Sequence, residues 1–472
     1  MSTNQINEAL VGTSAAKKLP SLCCVWVIAC TVCLSAVFAA AVPFKGPLRV
    51  HPQNPHYFTD NSGKAIFLSG STIHGSVQKA YANPDFTAYL KAENKYHHNF
   101  TKLRVWENGW LRGDSTSWTP MLYERTGPGL ATDGKPKFDL NRLNPEFFKL
   151  LRQRAVEARD HGVYCGLWFY LCYCVQNQGA HRDFWGGHPY FRDNNINGID
   201  GDANGDGQGF EVHTLKIPAI TRLQEAYVAN VLETLNDLDN VVYEIGGELH
   251  LGATDFEYHF ARFVKDTEAK LPKQHVVGIT ALGGGSLGRH ADLTNSPADW
   301  ISPGGAEWIN DPQVVENKID LIDTDHCLGW GLPPVAWVWK GFTRGHNLVL
   351  MDHFDNPGIF NRNIHQLEVV RWNLGYALRY ANKMNLAAMT PRSELATTKY
   401  CLADPGTEYL VYQPKAGEAF SVELTAGTYR YEWFNPAKGQ IAGSGNVQAV
   451  GGKHQFTAPF AGEAVLYLFE DP

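Results

Sequence analysis

The sequence predicts a (β/α)8 barrel followed by an all-β sandwich, an α/β chain with a second, purely β part. Three observations carry that expectation. Apolar strand-like runs alternate with amphipathic helical runs from residue 65 to residue 388, the signature of a parallel sheet wrapped in helices. Eight such runs fit into roughly 320 residues, the size of a TIM barrel with long loops. From residue 389 to residue 472 helical periodicity stops, and short alternating strands separated by glycine and proline turns take over.

Taken in order, Ala65 to Ser71 is the first expected strand and Asp85 to Tyr96 the first helix. Thr101 to Glu107 is the second strand; a helix from Pro145 to His161 ends at Gly162, and Val163 to Tyr170 is the third strand. A long amphipathic helix, Ile217 to Asn240, precedes the fourth strand, Val241 to Glu248, and Asp255 to Leu271 is the next helix. His275 to Leu282, Trp300 to Ser302, Ile319 to Asp325 and Asn347 to Asp352 complete the eight strands. Helices fit Val335 to Arg344 and Asn363 to Asn385. Residues 44 to 64, with the turn Asp60-Asn61-Ser62-Gly63, read as an extra hairpin ahead of the barrel. The sandwich strands are Tyr409 to Tyr412, Ala419 to Leu424, Thr428 to Phe434 and Ala464 to Phe469. A doubly wound open sheet is the alternative, but no glycine-rich phosphate loop follows an early strand.

A chain of 472 residues has room for a barrel and an accessory module. Its net charge of -7 gives nucleic acid no electrostatic attraction. The 13 Trp, 20 Tyr and 24 Phe suit a cleft that covers sugar faces, although a large core absorbs such residues too. Lys17-Lys18 precede an apolar run from Leu22 to Val42 that ends in Phe38-Ala39-Ala40-Ala41. Residues 1–42 therefore read as a secretory signal peptide or an uncleaved signal anchor. Either sends residue 43 onward to a secreted, periplasmic or cell-surface location, with membrane contact only through that segment. Cys165, Cys172, Cys174, Cys327 and Cys401 lack metal-site spacing and read as buried thiols, with one disulfide as the alternative.

The chemistry concentrates at strand ends, where barrel enzymes keep it. Val241-Val242-Tyr243-Glu244-Ile245-Gly246-Gly247-Glu248 ends in a carboxylate on the loop face, and Ile319-Asp320-Leu321-Ile322-Asp323-Thr324-Asp325 ends in another, three βα units later. Two carboxyls on opposing strand ends suit hydrolysis of an O-glycosidic bond in a polysaccharide or oligosaccharide. Glu248 is the expected acid/base and Asp325 the expected nucleophile, with Asp323 as its understudy on the same strand face. Arg104 on the second strand is placed to keep the nucleophile ionised, or else to form a structural ion pair. His74, Trp106, Trp168, Tyr170 and His326 also lie at strand ends and are the remaining substrate-binding candidates. Glu244, deeper in the strand, reads as structural.

No cofactor is required for this chemistry. The loop Asp200-Gly201-Asp202-Ala203-Asn204-Gly205-Asp206-Gly207-Gln208-Gly209-Phe210-Glu211 matches a calcium-binding pattern, with Asp200, Asp202, Asn204, Asp206 and Glu211 as candidate oxygen ligands of a structural ion. A glycine- and aspartate-rich loop rimming the site without an ion fits the same residues, and Asp193, Asn194 and Asn195 are available to either arrangement.

Several stretches together resemble one family: His51-Pro52-Gln53-Asn54-Pro55-His56-Tyr57-Phe58, Leu68-Ser69-Gly70-Ser71, Asn195-Ile196-Asn197-Gly198-Ile199-Asp200-Gly201-Asp202, Asp323-Thr324-Asp325-His326 and Met384-Asn385-Leu386-Ala387-Ala388-Met389-Thr390-Pro391. The chain resembles clan A barrel glycoside hydrolases, and within them the apiosidase-like proteins that end in a module named for collagen binding. The resemblance implies a retaining hydrolase whose acid/base ends strand four behind an asparagine and whose nucleophile ends strand seven. Glu248 and Asp325 match those positions. Gly247 departs from the pattern by replacing the asparagine, and Asp325 departs from it by being one methylene shorter than the usual glutamate. Two rivals follow: a carbohydrate-binding barrel without activity, and a surface protein that binds extracellular matrix through residues 390–472.

Overall fold

A computed structural model of the chain describes residues 44–72, 77–78, 85–105, 119–177, 184–283, 290–329, 331–352 and 364–470. The expected signal segment lies outside them. Among the described residues no helix is long and apolar enough to cross a membrane.

Eight parallel strands close into a barrel: β1 (Ser69–Thr72), β2 (Phe100–Arg104), β3 (Tyr164–Leu171), β4 (Val241–Gly247), β5 (Val277–Thr280), β6 (Trp300–Ser302), β7 (Ile319–Asp323) and β8 (Asn347–Met351). Closure comes from β8 pairing with β1, Leu348 opposite Ser69 through Met351 opposite Thr72. Every residue of these strands is buried, as strands covered on both faces must be. The described helices are α1 (Phe86–Lys95), α2 (Pro145–Asp160), α3 (Pro218–Leu235), α4 (Thr254–Glu268), α5 (His290–Thr294), α6 (Glu307–Asn310), α7 (Thr324–Leu328), α8 (Val335–Thr343) and α9 (Ile364–Lys383). Local chemistry sets their starts. The Asp85 side chain accepts from the Thr87 N–H, Asn144 accepts from the Glu146 N–H, and α2 and α3 open on proline.

Two strand expectations need correction. The run Ala65 to Ser71 divides: Ala65–Ile66 joins Arg49–Val50 and Phe58–Thr59 in a small antiparallel sheet, and the barrel strand begins at Ser69. The break falls where the Leu68 N–H donates to the Asn347 side chain at 2.8 Å instead of to a strand neighbour. At the other end, β7 stops at Asp323, which caps α7, so Asp325 stands in the first turn of a helix. The sequence also gave no sign of the hairpin formed by Tyr123–Leu130 and Pro136–Leu143.

The floor of the barrel is packed with Phe100, Tyr164, Val242, Trp300, Ile319, Leu321 and Val349. Gly278 leaves room for Trp300, whose ring carbons a Cβ would approach to 2.1 Å. Cys165, Cys172, Cys327 and Cys401 are buried free thiols, and Cys174 is buried as well.

Past the barrel, β9 (Thr390–Pro391), β10 (Cys401–Asp404), β11 (Glu408–Gln413), β12 (Phe420–Leu424), β13 (Gly427–Asn435), β14 (Gln440–Ala449), β15 (Gly452–Phe456) and β16 (Ala464–Glu470) form a six-stranded antiparallel sheet and a two-stranded ribbon. Alternation along the strands sorts their side chains into two cores. Tyr409, Val411, Trp433 and Leu466 pack with Phe420 and Phe456 of the ribbon. Leu410, Tyr412, Phe434 and Val465 face the other way and join the barrel's own core, where the Phe434 ring lies 5.6 Å from Trp339 of α8 and 5.3 Å from Tyr376 of α9.

Candidate active site

Above the floor lies a layer of buried charge. Lys102 of β2 reaches across the lumen, with its Nζ 2.8 Å from a Glu244 carboxylate oxygen on β4 and 2.9 Å from Asp323 Oδ2 on β7. The space for its stem comes from Gly166, its partner on β3, where a Cβ would stand 3.1 Å from Lys102 Cγ. Thr280 of β5 donates its hydroxyl to Glu244 at 2.7 Å. Both oxygens of Asp323 are occupied, since Oδ1 accepts the Asp325 N–H at 3.0 Å.

The indole of Trp168 covers this layer. The Lys102 Nζ lies 3.9 Å from the ring centroid, the Arg104 guanidinium 5.1 Å, and the His326 imidazole stacks on it at 5.7 Å and 26°. Arg104 donates to the Tyr173 hydroxyl. His326 Nδ1 is hydrogen-bonded to Ser302 Oγ at 3.1 Å, and its buried Nε2 has no partner among the described residues.

Glu248 follows β4 with φ 55, a left-handed backbone that a non-glycine residue adopts only under local constraint. That turn directs the chain out of the strand, and Glu248 lines a cleft of about 570 Å³ with Cys172, Tyr173, Gln176, Phe210, His250, Leu251, Gly252 and Gly283. Burial raises its carboxyl pKa most, and the nearby charge of Asp325 adds to it; Arg104 opposes, and the result is a group pushed up to about 8. Burial also holds the Tyr173 phenol well above its ordinary range, against the pull of Arg104.

The structure brings Glu248, Asp325, Arg104, Trp168 and His326 to one end of the barrel. Tyr170 does not join them. Its ring packs between the barrel and the helices, 5.0 Å from Phe256 and 5.2 Å from Phe260 of α4, so it is a core residue. Trp168 and Arg104, only 1% and 2% exposed, form the floor of the mouth. His74 and Trp106 lie outside the described residues. Sequence reasoning missed Lys102 and Tyr173. Lys102 stands two residues before Arg104 on one strand, so the period-2 rule alone places it on the same inward face.

The 200–211 loop folds on its own backbone. Asp202 accepts from the N–H groups of Gly205, Asp206 and Gly207 at 2.8–3.0 Å, and the Asn204 amide donates to Glu211 at 2.5 Å. Among the described residues no group of three or more His, Cys, Asp or Glu is disposed to hold a metal ion. Asn194 and Asn195 are buried pins: Asn194 donates to the carbonyls of Gly186 and His188, and Asn195 to that of Ile199.

The family described as "Domain of unknown function (DUF6298)" matches residues 88–283. No curated protein sequence matches. Solved structures do. A protein of Bacteroides vulgatus ATCC 8482, provisionally named a glycoside hydrolase, superposes with TM-score 0.63 at 14% identity, covering 90% of this chain and 83% of its own. A protein named glycoside hydrolase gives 0.58 at 11%, covering 90% and 97%. A family 5 glycoside hydrolase of the same Bacteroides strain gives 0.55 at 12%, covering 90% and 94%. At such identities the likeness concerns architecture, and it extends over nine-tenths of the chain: the closed parallel barrel together with its antiparallel β extension.

Proposed function

We propose that the protein is an exported glycoside hydrolase that cleaves O-glycosidic bonds of a polysaccharide or oligosaccharide with Glu248 as acid/base and Asp325 as nucleophile. One observation carries the reading: Glu248, a buried carboxyl pushed up to about 8, lines an open cleft within the field of Asp325, a second carboxylate in the first turn of the helix that follows β7. Glycosidic cleavage needs that division of labour, an acid for the departing oxygen and an ionised partner at the anomeric carbon. Asp325 is preferred to Asp323 because Lys102 and the Asp325 N–H already occupy both oxygens of Asp323. The resemblance to clan A barrels favours the retaining route. The neighbours' glycoside hydrolase names agree with this reading. Export rests on the basic flank and apolar run of residues 1–42.

The cleft beside Glu248 is where the leaving group would sit, against Tyr173, Phe210 and Leu251, with Gln176 as a hydrogen-bonding partner. Arg104 and the open Nε2 of His326 would meet the sugar that keeps its anomeric carbon. Reducing-sugar release from a panel of plant, algal and microbial polysaccharides tests the proposal. The parent chain releases sugar, while Glu248→Gln and Asp325→Asn do not. Binding without release, unchanged in Glu248→Gln, would establish a carbohydrate-binding barrel instead.

A further inference from the structure

We propose that Lys102 is a positioning residue, a strut across the barrel lumen that sets the separation of β4 and β7, the two strands whose ends lead into Glu248 and Asp325. The inference rests on the hydrolase reading for its consequence in turnover, but the strut itself is a property of the fold.

The geometry has three links. Lys102 Nζ is within 3.1 Å of both Glu244 oxygens and 2.9 Å from Asp323, so one ammonium ties β2 to β4 and to β7 at once. Glu244 lies on β4 four residues before Glu248, which directly follows the strand's last residue, Gly247. Asp323 is linked more tightly still: its second oxygen receives the Asp325 N–H and fixes the first turn of α7. A displacement of Lys102 is thus passed on to Asp325 through hydrogen bonds and to Glu248 through the backbone of β4, and Trp168 over the ammonium keeps water from replacing it. The lysine charge also reaches the mouth. Glu248 feels Asp325 and Asp323 as repulsive neighbours, and Arg104 and Lys102 as attractive ones. Two carboxylates against one ammonium leave this layer net negative, so loss of the lysine acts on the acid as well as on the spacing.

The test uses the full chain and two readouts, the ¹³C NMR titration of the Glu248 carboxyl and steady-state hydrolysis. Lys102→Met is expected to move the Glu248 titration upward by about half a unit or more. It is also expected to lower kcat about tenfold or more with KM within about twofold, the mark of lost positioning. If Lys102→Met fails to fold, Glu244→Gln replaces it. This variant keeps the Lys102–Asp323 pair, frees β4 from the strut and removes a negative charge, so the Glu248 titration moves down while kcat falls. A folded Lys102→Met, or a Glu244→Gln, with the parental titration and parental kcat would overturn the proposal. A parent chain without hydrolytic activity sinks the hydrolase reading alone, because the titration still decides whether the strut acts on Glu248.

Discussion

Gly247 lies against Trp168: a Cβ built on the glycine would stand 3.1 Å from the indole carbons and 3.2 Å from the Leu171 side chain. The backbone there is ordinary strand with no positive φ, so the glycine is present for space and not for conformation. The residue that replaces the expected asparagine is thus explained by the tryptophan that roofs Lys102. Gly247→Asn should cost about 1–3 kcal/mol through overpacking, read as a lower midpoint in urea with an unchanged slope. A parental midpoint would mean that Trp168 is free to move aside.

Glu248 should hold back stability as pH rises. Its folded-state pKa of about 8 exceeds the ordinary 4.5, so between those values the folded protein binds more protons than the unfolded chain, and stability falls from pH 4.5 toward 8. Glu248→Gln removes that loss. The variant should be about 1–3 kcal/mol more stable than the parent at pH 7 and equal to it at pH 4, by urea unfolding at the two values.

The two tyrosines flanking the third strand's end separate packing from function. Tyr170 sits among Phe256, Phe260 and Tyr227, whereas Tyr173 takes a hydrogen bond from Arg104 and lines the cleft. Tyr170→Phe should leave kcat/KM within about twofold, and Tyr173→Phe should lower it about tenfold. Comparable losses in both would contradict the placement of Tyr170.

The β extension should unfold with the barrel. Phe434 packs against Trp339 and Tyr376, and Tyr380 donates its hydroxyl to Glu432 at 2.9 Å. Phe434→Ala should lower stability by about 3–5 kcal/mol, with a single calorimetric transition retained. A separate low-temperature transition would mean that the sheet folds on its own and is merely tethered.

The 200–211 loop should need no ion to close, since Asp202 already accepts three backbone N–H groups. Chelation should leave Tm within about 1 °C of the parental value, and a calcium-dependent rise would show that these oxygens turn to a metal instead.

Strand and helix order was legible because parallel strands and amphipathic helices differ in period, and that alone placed Glu248 and Asp325 at one end of the barrel. Local events that period cannot see were not legible. Asp323 caps a helix and so ends its strand two residues early, which moves Asp325 off the strand face. Tyr170 was a candidate because it lies at a strand end, yet Trp168 packs with Leu171 and Tyr173 while Phe169 and Tyr170 both join the main core. Lys102 was missed for another reason. A lysine on an apolar strand reads as an anomaly until the two carboxylates that balance it, one on β4 and one on β7, are brought beside it by closure of the barrel.

The central claim is that Glu248 is an acid kept protonated by burial and by Asp325. Its most direct test is the ¹³C NMR titration of Glu248 in the full chain, assigned by its loss in Glu248→Gln and repeated in Asp325→Asn. A midpoint near 8 in the parent that drops in Asp325→Asn is the expected result. A midpoint near the ordinary 4.5, or one that does not respond to Asp325, would contradict the pairing of these two carboxyls.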